Sequence, residues 1–198
     1  MGKRPARPAA QPWLRMPRSM PRRLPIFACA LALAALPGLT ACNDTKQGID
    51  EPAREGLAIE LGGVNYNVFI TRELNPKITP DKAYVTGEAP PGQALYGIFL
   101  QVCNVSKDPR ATASDFTVRD NQDNTFHPES LPADNQFAYA PKTLDPKECI
   151  PEVGSVAQLG PTAGSMLLFQ LPLDNTENRP LELEIVQGGE KRTFTLDI

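Results

Sequence analysis

An all-β antiparallel sandwich is the fold this sequence predicts, and three observations predict it. Apolar residues recur with period two in several segments, and no window carries a convincing ten-residue helical period. The alternating segments are separated by turn-forming clusters, and fourteen of the 21 prolines follow Cys42, which disfavours long helices there.

The elements follow in chain order. Val64 to Thr71 alternates, which predicts a half-buried strand with Val64, Tyr66, Val68 and Ile70 on its core face. Leu95 to Val105 is apolar on both faces and rich in β-branched and aromatic residues, as a central strand is, and Cys103 falls near its end. Phe116-Thr117-Val118 predicts a shorter strand, and Asp120 to Asn124 has the turn chemistry to reverse the chain into Thr125-Phe126. Ser165 to Leu171 predicts a second buried strand, stopped by Pro172. In the last segment Leu181, Leu183 and Ile185 alternate with Glu182 and Glu184 before Gly188-Gly189 turns into Lys191 to Ile198. A two-residue type I′ hairpin then sets Leu183 opposite Phe194 and Leu181 opposite Leu196 on the core face. On the solvent face Glu184 lies opposite Thr193 and Glu182 opposite Thr195; a one-residue slip would put the glutamates inside. Leu74 to Pro91 and Gln122 to Pro146 are long connections, and the second is expected to make an irregular excursion or a short helical turn.

Ahead of these elements, Arg22-Arg23 supplies a positive n-region, Ile26 to Leu36 an apolar h-region, and Pro37-Gly38 a helix break before small residues. Eleven apolar residues rise only about 16 Å as a helix, roughly half the hydrocarbon thickness, so this is a leader and not a permanent span. Leu39-Thr40-Ala41-Cys42 resembles the lipobox of bacterial lipoproteins. That resemblance implies cleavage between Ala41 and Cys42, with a diacylglycerol thioether on the Cys42 sulfur. Each buried CH₂ contributes about 0.8 kcal/mol, and two or three chains make a stable anchor where one does not. Met20 begins a leader of ordinary length by itself, so the start is either Met1 or Met20; Pro25 argues against twin-arginine export.

Residues 1–41 hold seven bases and no acid, leaving 13 bases against 23 acids, a net charge of −10, from Cys42 onward. A chain so acidic, with its bases scattered singly, is repelled by nucleic acid and excludes it as a partner. About 155 residues remain after cleavage, enough for one domain with a real core. Asn43 to Glu55 is polar and without aromatic residues, which predicts a disordered tether. The organisation is therefore a signal peptide over 1–41, a lipidated cysteine and flexible tether over 42–56, and the sandwich over 57–198. Cys103 and Cys149 are the thiols left in an oxidising compartment and are expected to pair; a redox pair or half of a metal site are the alternatives. Closing that loop would stabilise the fold by about 4 kcal/mol in the chain-entropy model.

The order of segments is itself recognisable. A first strand precedes a long one ending Val102-Cys103-Asn104-Val105-Ser106. Asp115 to Asp120 follows with its turn, then Leu159-Gly160-Pro161 with Met166 to Pro172, then Leu181-Glu182-Leu183. It resembles the telokin-like, immunoglobulin-like domain of many bacterial secreted lipoproteins, a family of unknown function. The resemblance spans roughly 57–198 and implies an immunoglobulin-like antiparallel β-sandwich with no catalytic residues. The Cys103–Cys149 pairing is not part of that pattern and rests on compartment and count.

Little reactive chemistry is in view. His127 is the one histidine, which excludes cupredoxin and most catalytic zinc sites, and Met166 is the one methionine after the leader. No G-x-S-x-G elbow occurs. Asp120, Asn121 and Asp123 lack the alternating acids and terminal Glu of a calcium loop and read as a turn. The sequence therefore predicts no metal, no cofactor and no enzyme. It predicts a lipid-anchored, non-enzymatic binding or interaction domain in the cell envelope, on the extracytoplasmic side of a bacterial membrane. Its partners would be membrane lipid through Cys42 and an envelope protein or ligand. The alternative is an accessory solute- or metal-binding subunit of an envelope transporter or assembly machine. The candidate interaction surface is Phe126, Phe137 and Tyr139, which interleave with polar residues in the long Asn121 to Pro146 connection; the opposing reading has them capping the core.

Overall fold

The computed structural model describes residues 46–198, all within the unit that runs from Cys42 to Ile198. The expected signal peptide, the Ala41/Cys42 cleavage and lipidated Cys42 lie outside the described residues. In chain order the strands are β1 (Ala53–Arg54), β2 (Ala58–Leu61), β3 (Val64–Leu74), β4 (Gln93–Asn104), β5 (Arg110–Ala111) and β6 (Asp115–Arg119). They continue with β7 (Thr125–Phe126), β8 (Thr143–Leu144), β9 (Cys149–Ile150), β10 (Ser165–Pro172), β11 (Leu181–Gln187) and β12 (Glu190–Leu196). One sheet has the order β1-β12-β11-β6-β7 and the other β10-β4-β3-β2, with β9 on the end of β4; β5 and β8 form a separate pair. All ladders are antiparallel except β1 on β12. The chain is an antiparallel β-sandwich. Among the described residues no helix is long and apolar enough to cross a membrane.

The β11–β12 hairpin has the register its alternation dictates: Leu183 faces Phe194, Leu181 faces Leu196, Glu184 faces Thr193 and Glu182 faces Thr195. Gly188 and Gly189 both have positive φ, 59° and 84°, the backbone that a type I′ turn demands and that glycine adopts without a Cβ clash. On β3, Val64, Tyr66 and Val68 are buried as predicted, but Ile70 is 41% exposed. A β-bulge between Val68 and Ile70 inserts Phe69 as an extra residue. The alternation therefore reverses, and Thr71 takes the inward position beside Ile98.

Residues 47–56, expected to be part of a disordered tether, are instead held in place. Gly48 N–H donates to Glu51 C=O, Gly48 C=O accepts the Thr193 N–H, and Ala53 pairs with Phe194 and is fully buried. The Glu55 carboxylate accepts the Thr71 and Asp197 N–H groups, joining β3 of one sheet to the end of β12 in the other. Polarity alone predicts disorder here, yet one buried alanine and a row of backbone hydrogen bonds hold 47–56 against the sandwich. The only turns of helix among the described residues are a 3-10 turn at Asp81–Ala83, α1 (Val156–Leu159) and α2 (Leu173–Thr176). Gln122 to Pro146 makes the irregular excursion; the helical turn sits in the Leu74 to Pro91 connection instead.

Apolar residues form two layers. The inner one, between the sheets, is built from Tyr66, Ile98, Leu100, Phe169, Leu183, Phe194 and their neighbours. The second lies on the outer face of the β10-β4-β3 sheet, where Leu74, Leu95, Phe99, Met166 and Leu168 are covered by Tyr84, Val85, Phe137 and Ala157 from loops and α1. Gly97 lies at the centre of that face: a Cβ there would sit 2.8 Å from the Phe99 ring and 3.0 Å from Leu74, so only glycine lets the layer close.

Candidate binding cleft

The outer layer places the candidate site. Arg72, on the outer face of β3, bonds Asp81 and lies over the rings of Tyr84 and Phe99, at 5.7 and 5.8 Å. The other Asp81 oxygen accepts the Asn75 N–H at 2.9 Å, so the first long connection is fixed where it leaves β3. Tyr84 then meets Phe99 and Phe137 edge-on, with centroids 5.1 and 4.7 Å apart. Asn135 joins the two long connections: its Nδ2 donates to Tyr84 C=O at 2.8 Å and its Oδ1 accepts the Phe137 N–H at 2.9 Å. The second connection is tied to β10 as well. Met166 N–H donates to Phe137 C=O, Tyr139 N–H to Met166 C=O and Glu129 N–H to Leu168 C=O, at 2.6 to 2.9 Å.

Between these pinned loops lies a cleft of about 660 Å³, walled by residues 83–88 and 129–137 above Leu95, Leu168 and Gln170. Three carboxylates line it, Glu88, Glu129 and Asp134, and no Lys, Arg or His does. Glu88 pairs with exposed Lys77 at 2.9 Å. Glu129 and Asp134 make no ion pair among the described residues. Two leucines on the floor with carboxylates among the walls are the composition of a binding surface for a ligand with an apolar body and donor or cationic groups. The lining also lacks the cysteine or histidine of a nucleophilic site.

Phe126, Phe137 and Tyr139 do not form the exposed surface expected of them. Phe137 is 9% exposed and belongs to the outer layer, while Phe126 and Tyr139 pack against the inner one. Tyr139 stands edge-on to Phe116, and its hydroxyl donates to Ala113 C=O at 2.8 Å. The physical reason is that both layers leave apolar surface for the loop to cover: Phe137 closes over the outer face of the β10-β4-β3 sheet, Phe126 and Tyr139 close the margin of the inner layer, and the polar residues are left at the rim. Their burial supports the opposing reading of these aromatics, that they cap the core. Glu129, Asp134 and Asn135 lie in irregular chain and carry no periodic signal that would single them out.

The other candidates fall elsewhere. Cys103 and Cys149 form a disulfide across the β4–β9 ladder. His127 is exposed, with Nδ1 3.4 Å from Thr117 Oγ1. Asp120 is a buried structural hub. Oδ1 accepts the Gln122 and Asn124 N–H groups, and Oδ2 accepts the side-chain amides of Asn124, Asn175 and Asn178, all at 2.8 to 3.0 Å. Burial alone would raise its pKa, but these amides and the Asn124 N–H outweigh it and hold the carboxyl well below the ordinary aspartate range. Its oxygens thus fasten the β6–β7 turn to the segment after β10. Among the described residues, no group of His, Cys, Asp and Glu is arranged to hold a metal ion.

No family model matches this chain, and no curated protein matches it. Among solved structures it is similar to the yjhA protein of Bacillus subtilis, at 12% identity and a TM-score of 0.46, over 74% of this chain and 100% of that one. An uncharacterized β-sandwich protein of Clostridium difficile 630 gives 15% and 0.45, over 77% of this chain and 99% of the other. A candidate lipoprotein (ycdA) of Bacillus subtilis subsp. subtilis str. 168 gives 16% and 0.45, over 72% of this chain and 38% of that one.

Proposed function

We propose that the chain is a membrane-anchored extracytoplasmic lipoprotein whose telokin-like, immunoglobulin-like head is a non-enzymatic binding domain, with the cleft between residues 83–88 and 129–137 as its binding surface. The observation that carries the reading is the cleft itself: pinned walls, Leu95 and Leu168 on the floor and two wall carboxylates without a counter-charge. The anchor is supported by the Leu39 to Cys42 run behind an apolar leader too short to span a bilayer. The described residues begin at Lys46, and 47–56 are held against the sandwich, so an acylated Cys42 would hold the sandwich close to the membrane surface.

Two measurements on the full-length precursor in cells test the two halves of the proposal. Intact-mass analysis is expected to show an acylated product beginning at Cys42, and Cys42→Ser to move the protein from the membrane to the soluble fraction. A photo-crosslinking residue at Gln136 is expected to trap an envelope component that the same residue at Lys191, on the hairpin tip, does not. An unacylated product, or identical adducts from both positions, would overturn the corresponding half.

A further inference from the structure

The cleft floor contains an unfinished strand edge. On β10, Met166 directs both its N–H and its C=O at the loop that carries Phe137 and Tyr139, and Leu168 directs its C=O at Glu129. In a strand, the N–H and C=O of one residue point to the same side and alternate from residue to residue. The even-numbered residues of β10 therefore aim their peptide groups away from β4, and the odd-numbered ones make the β4 ladder. Among the described residues, the next groups in the outward row, the Leu168 N–H and the Gln170 N–H and C=O, take no hydrogen bond. Leu168 is 7% exposed, and an unpaired N–H on so buried a residue is rare in a folded chain. Leu168 and Gln170 both line the cleft, and past the Glu129 bond to Leu168 C=O the outward row continues at Gln170.

We propose that the cleft takes an extended peptide segment bearing a basic side chain, which adds as a short strand to the Leu168–Gln170 edge of β10. This rests on the reading of the cleft as the binding surface and names what fills it. Three features select that occupant. Unpaired backbone donors and an acceptor in one row match the peptide group of an incoming strand. Glu129 and Asp134, unneutralised on the wall beside that row, attract a Lys or Arg side chain and repel an acidic one. Leu95 and Leu168 on the floor receive the apolar side chains that alternate with it. The arch from Glu129 to Phe137 limits the open edge at one end, so the added strand is short and its affinity leans on the charged contact.

The test uses the full chain in non-ionic detergent, isotope-labelled for amide exchange, and titrated with the blocked peptide acetyl-Val-Lys-Val-Lys-Val-amide. Binding is expected to slow exchange at Leu168 and Gln170 by about tenfold or more and to weaken with added salt. The same peptide with glutamate for lysine, and the lysine peptide with alternate backbone nitrogens methylated, are each expected to bind at least about tenfold more weakly. Glu129→Gln with Asp134→Asn alters two exposed, unpaired side chains and is expected to weaken the lysine peptide to the same degree while leaving the melting temperature unchanged. Unaltered exchange at Leu168 and Gln170 with millimolar peptide would overturn the inference. So would equal affinity for acetyl-lysine-amide alone, which would mean a simple amine site, or protection that appears with rising protein concentration and no peptide, which would mean a second copy. Adducts from Gln136 in cells together with failure of the peptide would retain the binding surface and discard only its occupant.

Discussion

The two faces of β4 are held by different means. Inward, Ala94, Tyr96, Ile98, Leu100 and Val102 meet side chains from a second hydrogen-bonded sheet; outward, Leu95 and Phe99 meet side chains delivered by loops. The inner layer is therefore fixed by ladders on both sides. The outer layer depends on a few staples: Arg72 on Asp81, Asn135 on Tyr84, and three backbone bonds from the 129–139 segment to β10. Regions with fewer backbone bonds open at lower free energy than the global transition. The inner layer sets the fold, and the outer layer can carry a cleft because it is not itself a sheet.

Replacing Phe194, fully buried between the sheets, by alanine should cause the largest loss, about 4 kcal/mol in urea unfolding, with the whole domain melting in one transition. Phe137→Ala removes a ring of the same size from a loop that can relax, and about 2 kcal/mol is expected. Its first sign should be faster amide exchange at Met166 and Tyr139 with the β11–β12 hairpin unaffected. Equal losses and one common exchange pattern for the two variants would mean that the layers form a single cooperative unit, and the contrast would fail.

That contrast also explains what the sequence discloses. Period-two alternation is a direct record of one face against water and one against a sheet, so the β11–β12 register can be read residue by residue. It fails at Ile70 because a bulge needs no special residue: Phe69 is an ordinary strand former inserted out of phase. It is silent about the outer layer, where Tyr84, Asn135 and Phe137 act from irregular chain and meet at sequence separations of about fifty residues. Asp120 reads as a turn aspartate and is one, but three of its five donors come from asparagine side chains that no local pattern links to it. The disulfide was legible from compartment and count alone.

The disulfide joins β9 to β4 next to the inner-layer pair Val102 and Ile150, and it closes a loop with a sequence separation of 46 residues. Replacing Cys103 and Cys149 together by alanine should lower stability by up to about 4 kcal/mol, the loss falling on the unfolded chain's restored freedom. If that is the whole effect, exchange rates in native conditions at Phe137 and Leu183 should rise by the same factor as the global equilibrium shifts. A larger rise at Phe137 than at Leu183 would show that the bridge braces the outer layer specifically, and so sharpen the distinction between the two.

The smallest effect is expected in alkali and belongs to the inner layer. Tyr66 is fully buried, and its hydroxyl donates to Gln187 Oε1 at 2.8 Å and accepts the Ala113 N–H at 2.6 Å. Burial pushes its pKa up to about 12, against a smaller lowering by the Ala113 N–H. Tyr139, which donates to Ala113 C=O, is raised also, with burial again the main cause. A folded pKa above the unfolded one means that the neutral phenol stabilises the fold fully below the ordinary tyrosine value of about 10, and that this contribution is lost as pH rises toward about 12. Urea midpoints should therefore fall over that window, in step with a phenolate absorbance change. In Tyr66→Phe, which cannot ionise there, the alkaline fall should be shallower although the variant is less stable at neutral pH, since the Ala113 N–H loses its acceptor. An alkaline fall of equal size in both proteins would place its origin outside the inner layer and remove this part of the contrast.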